Sequence, residues 1–310
     1  MRIGLIVNPV SGGGRASRHA EAVSAALERR VPQVDMRFTL GRGHAARLAE
    51  DFAGEGADLV IAFGGDGTLG EVADGLLRGR SPGGRLPQLG FIAAGTGSDF
   101  RRNFSFSSDP ATAALELLDR PARPIDAGRV SFSLPGGGEG HRHFLNIASL
   151  GITGDIVETV NRAKMEGTKS GPLVYLLHTL GALLRYRFPS IRIALDDAAP
   201  LDAQVAAVAV ANGAWFGGGM KIAPDARVDD GLFDVVVVRA RNRSTLIANL
   251  ARVYGGRHRS HPDVTIARAS TVTVHPAAPG AIIPLEFDGE DLGCLPARYD
   301  ILPGALMVRG

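Results

Sequence analysis

Strand-like and helix-like segments alternate through the first third of the chain, and three of the strand-to-helix junctions are rich in glycine. Strands are expected at residues 2–7, 34–40, 58–63 and 88–93, and helices at 17–30, 43–54, 68–77 and 109–118. The helix at 68–77 places Leu69, Val72, Ala73, Leu76 and Leu77 on one face. Residues 59–63 read Leu-Val-Ile-Ala-Phe, a run suited to a strand buried on both faces. This order predicts a parallel sheet covered by helices on both sides. Such sheets bind ligands at the carboxyl ends of their strands. All three glycine turns belong to that edge.

The pattern changes near residues 121–126. Strand-like runs follow at 128–134, 143–149, 190–195, 204–211, 232–238, 270–275 and 282–288, separated by Gly, Pro and Asp turns. Antiparallel sandwiches show this spacing. Helices are expected at 172–186 and 244–254, and residues 135–140 read as a hairpin tip. The expected fold class is α/β plus mostly β: an N-terminal doubly wound parallel-sheet domain at 1–125, then an antiparallel β-sandwich at 126–295. A last strand, centred on 305–309 within 296–310, is free to close onto either part. The 310 residues suffice for two cores.

A net charge of +2 gives no electrostatic case for nucleic acid. The single cysteine, Cys294, excludes an internal disulfide and fits a reducing compartment. The opening apolar residues run straight into the first glycine turn without a signal-peptide pattern. No apolar run approaches the roughly 18–20 residues of a membrane span. A soluble cytoplasmic protein is expected. His141 and His143 flank Arg142, and His258 and His261 fall in a loop. Without Cys or carboxylate partners at ligand spacing they predict no transition-metal site.

The first turn is Asn8-Pro9-Val10-Ser11-Gly12-Gly13-Gly14. Arg15 follows it, and the lysine of a P-loop is absent, so the turn is either a phosphate cradle or an extended β–α connection. The second turn, Gly64-Gly65-Asp66-Gly67-Thr68-Leu69-Gly70, formally holds G-x-G-x-x-G. No acidic residue for a ribose occurs at 85–90. Asp66 would repel a pyrophosphate unless a cation intervened, which suggests Mg²⁺ with a nucleoside triphosphate. An ordinary turn aspartate is the plainer alternative. The third turn, Gly95-Thr96-Gly97-Ser98-Asp99, suits either a phosphate or a helix cap.

Taken in order, these turns resemble the diacylglycerol kinase catalytic-domain family, which includes soluble bacterial lipid kinases and sphingosine and ceramide kinases. Asn8-Pro9 with Ser11-Gly12 is similar to its opening motif, and Gly64-Gly65-Asp66-Gly67-Thr68 to its signature, which NAD kinases share. The third turn carries Ser98 where the family leads us to expect asparagine. Pro224-Asp225-Ala226, Asp229-Asp230-Gly231-Leu232, Phe287-Asp288-Gly289-Glu290 and Leu302-Pro303-Gly304-Ala305-Leu306 complete the resemblance across almost the whole chain.

The resemblance implies a two-domain kinase with ATP and Mg²⁺ between the domains. The nucleotide contacts it implies are Asn8, Thr39, Gly64, Gly65, Asp66, Gly67, Thr68, Leu69, Gly70, Thr96 and Asp99. Asp66 and Asp99 would orient Mg²⁺ through water. The matching positions for a structural Mg²⁺ in the β domain are the carbonyls of Arg227 and Leu232 and the side chain of Asp230. Glu290 is the expected general base, with Asp66 the second catalytic carboxylate. On spacing alone Asp288-Gly289 reads as a hairpin turn with exposed acids.

The implied acceptor is a hydroxyl of diacylglycerol, a sphingoid base or a related lipid, met at or extracted from the inner membrane surface. Leu173, Leu176, Leu177, Leu180 and Leu184 form a stripe ahead of Arg185 and Arg187. That stripe suits a core helix or a lipid-facing one. Residues 215–220, Trp-Phe-Gly-Gly-Gly-Met, suit an acyl contact or a loop burying two aromatics. The basic stretch 252–259 reads as a solvated face or a loop near anionic lipid. Two other functions share parts of the pattern: an NAD kinase-like enzyme and a non-catalytic nucleotide-binding regulator. Oligomeric state is left open, a homodimer included.

Overall fold

The computed structural model describes residues 1–79, 84–94, 98–104, 106–151, 188–239, 252, 255–287 and 290–310. It opens with β1 (Arg2–Val7), α1 (Ser11–Glu28), β2 (Gln33–Phe38), α2 (His44–Gly54), β3 (Leu59–Gly64), α3 (Asp66–Arg78), β4 (Gln88–Ala93) and α4 (Pro110–Asp119). The strands are parallel in the order β2-β1-β3-β4. Period-2 alternation sends successive side chains to opposite faces. Leu5 of β1 meets Val23 and Leu27 of α1 and Leu117 of α4. Its neighbour Ile6 meets Phe52 of α2 and Val72 of α3 on the other side. Both faces are dry from Ile3 to Val7 and along β3, which is why these stretches read as unbroken apolar runs.

The regular part of the first helix begins only after Gly14. Gly12, Gly13 and Gly14 precede it as a non-helical turn with φ of +61°, +64° and +82°. A Cβ on Gly12 would fall on the carbonyl oxygen of Ala94, just beyond β4, so this turn packs against the neighbouring strand end.

The remaining strands are β5 (Ala122–Ser133), β6 (Glu139–Phe144), β7 (Ile147–Gly151), β8 (Ser190–Leu195), β9 (Leu201–Ala211), β10 (Phe233–Arg239), β11 (Val264–Ala269), β12 (Thr271–Pro276), β13 (Pro284–Phe287) and β14 (Glu290–Arg309). Their mutual pairings are antiparallel. Six of them, β9-β7-β13-β14-β12-β8, close a circuit back to β9. The core of this part holds Ile191, Val205, Val272, Leu285 and Leu295. Phe144 stacks on Phe233 at 5.7 Å between centroids, with Tyr299 edge-on to Phe144. The chain therefore joins a doubly wound parallel sheet to an antiparallel β structure, as the sequence predicts.

The departures have physical reasons. The single strand expected at 143–149 is two, β6 and β7. Between them the Asn146 carbonyl accepts the N–H groups of Asn212 and Gly213 at 2.9 and 3.0 Å, which takes the chain out of the ladder. The closing strand extends far beyond 305–309. It pairs with β13, β12 and β5 and, at Val308, runs parallel to β4. Pro296 and Pro303 look like breakers, yet they sit at the two register shifts of the β14–β5 pair. A bulge tolerates proline there. β5 begins at Ala122, six residues before the strand expected at 128–134. β11 escapes sequence reading because its sixth residue alone is fully buried. His258 is buried in a 3-10 turn rather than lying in an open loop. The expected helices at 172–186 and 244–254 lie almost wholly outside the described residues. No helix among the described residues is long and apolar enough to cross a membrane.

Candidate active site

Asn8 leaves the end of β1, and its backbone N–H bonds to Phe63 O on β3 at 3.0 Å. Its side-chain amide donates to Thr68 Oγ1, in the first turn of α3, at 2.9 Å. Its Oδ1 accepts the N–H of Val10 at 3.3 Å. The first two glycine turns are thereby fastened to each other at the sheet edge. Thr39, buried just after β2, joins the same edge by donating its N–H to Val7 O at 2.9 Å. Glu71 steadies the loop that follows. Buried on α3, it accepts the N–H groups of Gly43 and Ala45 at 2.7 and 3.1 Å and so caps α2 from a neighbouring helix.

Asp66 reaches the third turn. Its two oxygens accept the N–H groups of Asp99 and Phe100 at 2.8 and 3.1 Å, capping the 3-10 turn Phe100–Asn103. Burial pushes its carboxyl up to about 6, and those two N–H bonds oppose the shift. Asp99 is also raised by burial, against the pull of Gly218 and Arg102. Its Oδ2 accepts Gly218 N–H at 2.7 Å, and its Oδ1 accepts from Arg102 Nε at 3.3 Å. The Arg102 guanidinium lies 5.3 Å from the centre of the Trp215 ring. Asn146 holds the Trp215 carbonyl through its side-chain amide at 2.8 Å. The loop at 215–220, read from sequence as a possible acyl contact, is thus tied directly to the third glycine turn.

A second junction gathers the motifs of the β part. Asp126 on β5 is buried; its Oδ2 accepts Gly231 N–H at 2.7 Å and its Oδ1 accepts Gly304 N–H at 2.8 Å. Gly304 lies in the register shift between Leu302 and Leu306, so this carboxylate fills the bulge that the shift opens. Asp230 sits beside it. Its Oδ1 accepts Leu232 N–H at 3.3 Å and its Oδ2 pairs with Arg268. Two carbonyls and a carboxylate suit a hard cation. Here the carboxylate already faces a guanidinium, which a cation bound there must displace.

Sequence reading missed Glu71, Asp126 and Asp74, because each serves by capping or pairing and none falls in a turn with a phosphate pattern. Asp74 is buried on α3. It accepts His143 N–H at 2.9 Å, faces His143 Nδ1 at 3.0 Å, and pairs with Arg78 and Arg142 at 3.1 and 3.7 Å. Burial raises its carboxyl, but these partners together hold it below its ordinary value. Ser98 Oγ is buried without a hydrogen-bond partner among the described residues. Gly95, Thr96, Gly97, Asp288 and Gly289 lie outside the described residues, as does the side chain of Glu290. The backbone of Glu290 opens β14 opposite Phe287.

Residues 2–130 match the family model of the diacylglycerol kinase catalytic domain, and residues 146–310 match that of the YegS C-terminal NAD kinase beta sandwich-like domain. Over 297 residues the chain is 32% identical to a Pseudomonas aeruginosa protein named "Probable lipid kinase YegS-like", covering 96% of this chain and 91% of that one. It is 30% identical over 309 residues to a Mycobacterium tuberculosis diacylglycerol kinase, covering 99% and 94%. The crystal structure of a diacylglycerol kinase from Bacillus anthracis superposes with a TM-score of 0.73 at 23% identity, covering 99% and 96%. At that identity the likeness is one of fold.

Proposed function

The chain belongs to the diacylglycerol kinase family of YegS-like lipid kinases, and on that footing we propose that it transfers the γ-phosphoryl group of ATP, with Mg²⁺, to a hydroxyl of diacylglycerol, a sphingoid base or a related lipid. The observation that carries the reading is the pair of links at one sheet edge, Asn8 to Thr68 and Asp66 to Asp99. They hold glycine-rich turns together around the N-terminus of α3, where unpaired N–H donors and the helix dipole favour phosphate.

In this proposal Asn8, Thr39, the residues from Gly64 to Gly70, and Thr96 contact the nucleotide. Each Asp66 oxygen accepts one N–H bond and keeps a further lone pair. That leaves Asp66, with Asp99, suited to hold the waters of a hydrated Mg²⁺ rather than the ion itself. Bound there, Mg²⁺ would neutralise charge on the phosphate oxygens. Glu290 takes the proton from the attacking lipid hydroxyl, and the loop at 215–220 contributes to the lipid side. Residues 1–125 supply the nucleotide cradle and 126–295 the lipid side. Arg227 O, Leu232 O and Asp230 are the proposed ligands of a structural Mg²⁺, in competition with Arg268.

The test is incubation with labelled ATP, Mg²⁺ and a total lipid extract, followed by chromatography. Labelled phospholipid or lipid phosphate is expected, dependent on Mg²⁺. Absence of label in every lipid fraction across a range of detergent levels would sink the proposal.

A further inference from the structure

A surface cleft of about 520 Å³ lies between the segment 221–225 and the 3-10 turn Arg257–Ser260. Its two walls are joined rather than merely adjacent. Buried His258 meets Ile222 O through Nε2 at 2.8 Å, and a Cβ on Gly256 would come within 3.1 Å of Pro224.

Lys221, Arg257 and Arg259 line this cleft against one carboxylate, Asp225. Arg259 takes that carboxylate at 3.0 Å. The ion pair of the cleft is Arg259 with Asp225, and among the described residues neither Lys221 nor Arg257 forms a salt bridge with a carboxylate. The Lys221 ammonium rests instead 5.2 Å from the centre of the Trp215 ring, and Arg257 is exposed. A guanidinium fork and a mobile ammonium, in a cleft of ligand size, match a phosphate group. We propose that this cleft is a second phosphate-binding site, outside the nucleotide cradle, which takes the phosphate of an anionic phospholipid or free phosphate.

Its occupancy should be readable at Trp215. Lys221 must leave the indole face to meet the phosphate, and Trp215 is the only tryptophan of the chain. The same ring carries Arg102, the partner of Asp99. The cleft therefore adjoins the loop tied to the third glycine turn.

The experiment follows Trp215 fluorescence of the full chain during titration with three probes: inorganic phosphate, phosphatidylcholine vesicles, and phosphatidylcholine vesicles containing phosphatidylglycerol. A saturable change with phosphatidylglycerol vesicles, absent with phosphatidylcholine alone and weakened by salt, is expected. A matching change with inorganic phosphate would assign the phosphate group itself. Its absence would assign a headgroup presented at a surface. Arg257→Gln should weaken either response about tenfold, the scale of one lost charge-assisted contact. It should leave phosphorylation of lipid in neutral micelles unchanged, which also shows that the variant is folded. No saturable response to phosphate or to anionic vesicles overturns the site. So does a response that Arg257→Gln leaves intact, because it would then arise at the glycine turns.

Discussion

Asp66 accepts the backbone N–H of Asp99 at 2.8 Å, so the two acids that the sequence places in separate glycine turns act in series. Asp66 holds the backbone of Asp99, and the carboxylate of Asp99 in turn holds Gly218 at 2.7 Å. A change at the N-terminus of α3 has a short polar route to the loop around Trp215.

Asp66→Ala removes the acceptor for two N–H groups and the proposed outer contact to Mg²⁺. Turnover is expected to fall by at least about 100-fold, the low end of a lost catalytic carboxylate. The core is untouched, and the far-UV circular dichroism should match the wild type. Amide exchange at Asp99 and Phe100 should accelerate. Near-normal activity with those amides deprotected would remove Asp66 from the machinery.

The pH dependence of stability separates Asp66 from Asp74. Asp66 sits at about 6 in the folded chain against an ordinary 3.8, so the folded state binds the extra proton between those values. Stability from this group is complete below about pH 4 and is lost as pH rises through about 6, a penalty on the order of 3 kcal/mol at neutrality. Asp74 is shifted the other way. Its stabilisation is present above the ordinary carboxylate value and is lost as pH falls through its depressed one. Urea unfolding of Asp66→Asn should therefore improve relative to wild type between pH 4 and 7.5, while Asp74→Asn should worsen. A pH-independent difference for Asp66→Asn would contradict the burial argument.

The parallel half was legible because β1, from Ile3 to Val7, and β3 are dry on both faces and their turns carry glycine where the backbone approaches a neighbour. What escaped depends on pairing across sequence. Asp126 reads as an ordinary acid at a domain boundary until Gly231 and Gly304 fold against it. Glu71 carries no pattern that marks it until it caps α2. β14 hides behind Pro296 and Pro303, whose meaning as bulges depends on the partner strand. Motif matching could pick out Asp66 and Asp99, but not the serial bonding between them.

Arg268 and a cation compete for Asp230 in the proposed structural Mg²⁺ site. Arg268→Ala should increase the stabilisation conferred by Mg²⁺, read as a larger rise in Tm across a magnesium titration, since less displacement work remains. Asp230→Asn should abolish the rise. An Mg²⁺ response equal in wild type and both variants would place the ion elsewhere.

Gly75 and Gly54 test packing against propensity within helices α3 and α2. Gly75 lies inside α3 and Gly54 is the last residue of α2; the preference for alanine over glycine, about 1 kcal/mol in a helix interior, applies in full to Gly75. A Cβ on Gly75 would land on the backbone carbonyl of Ala46, an atom that cannot move without shifting α2 as a whole. Gly54 has nothing within 4 Å of the corresponding position. Overpacking costs about 1–3 kcal/mol or more, enough to reverse the propensity gain at Gly75. Gly75→Ala should lower stability by up to about 2 kcal/mol net, whereas Gly54→Ala should be neutral or slightly stabilising. Because Glu71 lies one turn before Gly75 and caps α2, the displaced helix should also loosen the loop that carries Thr39. Nucleotide affinity is then expected to fall with stability in Gly75→Ala and stay at the wild-type value in Gly54→Ala. Equal stability of the two variants would mean that α2 and α3 do not approach as closely as the structure has them.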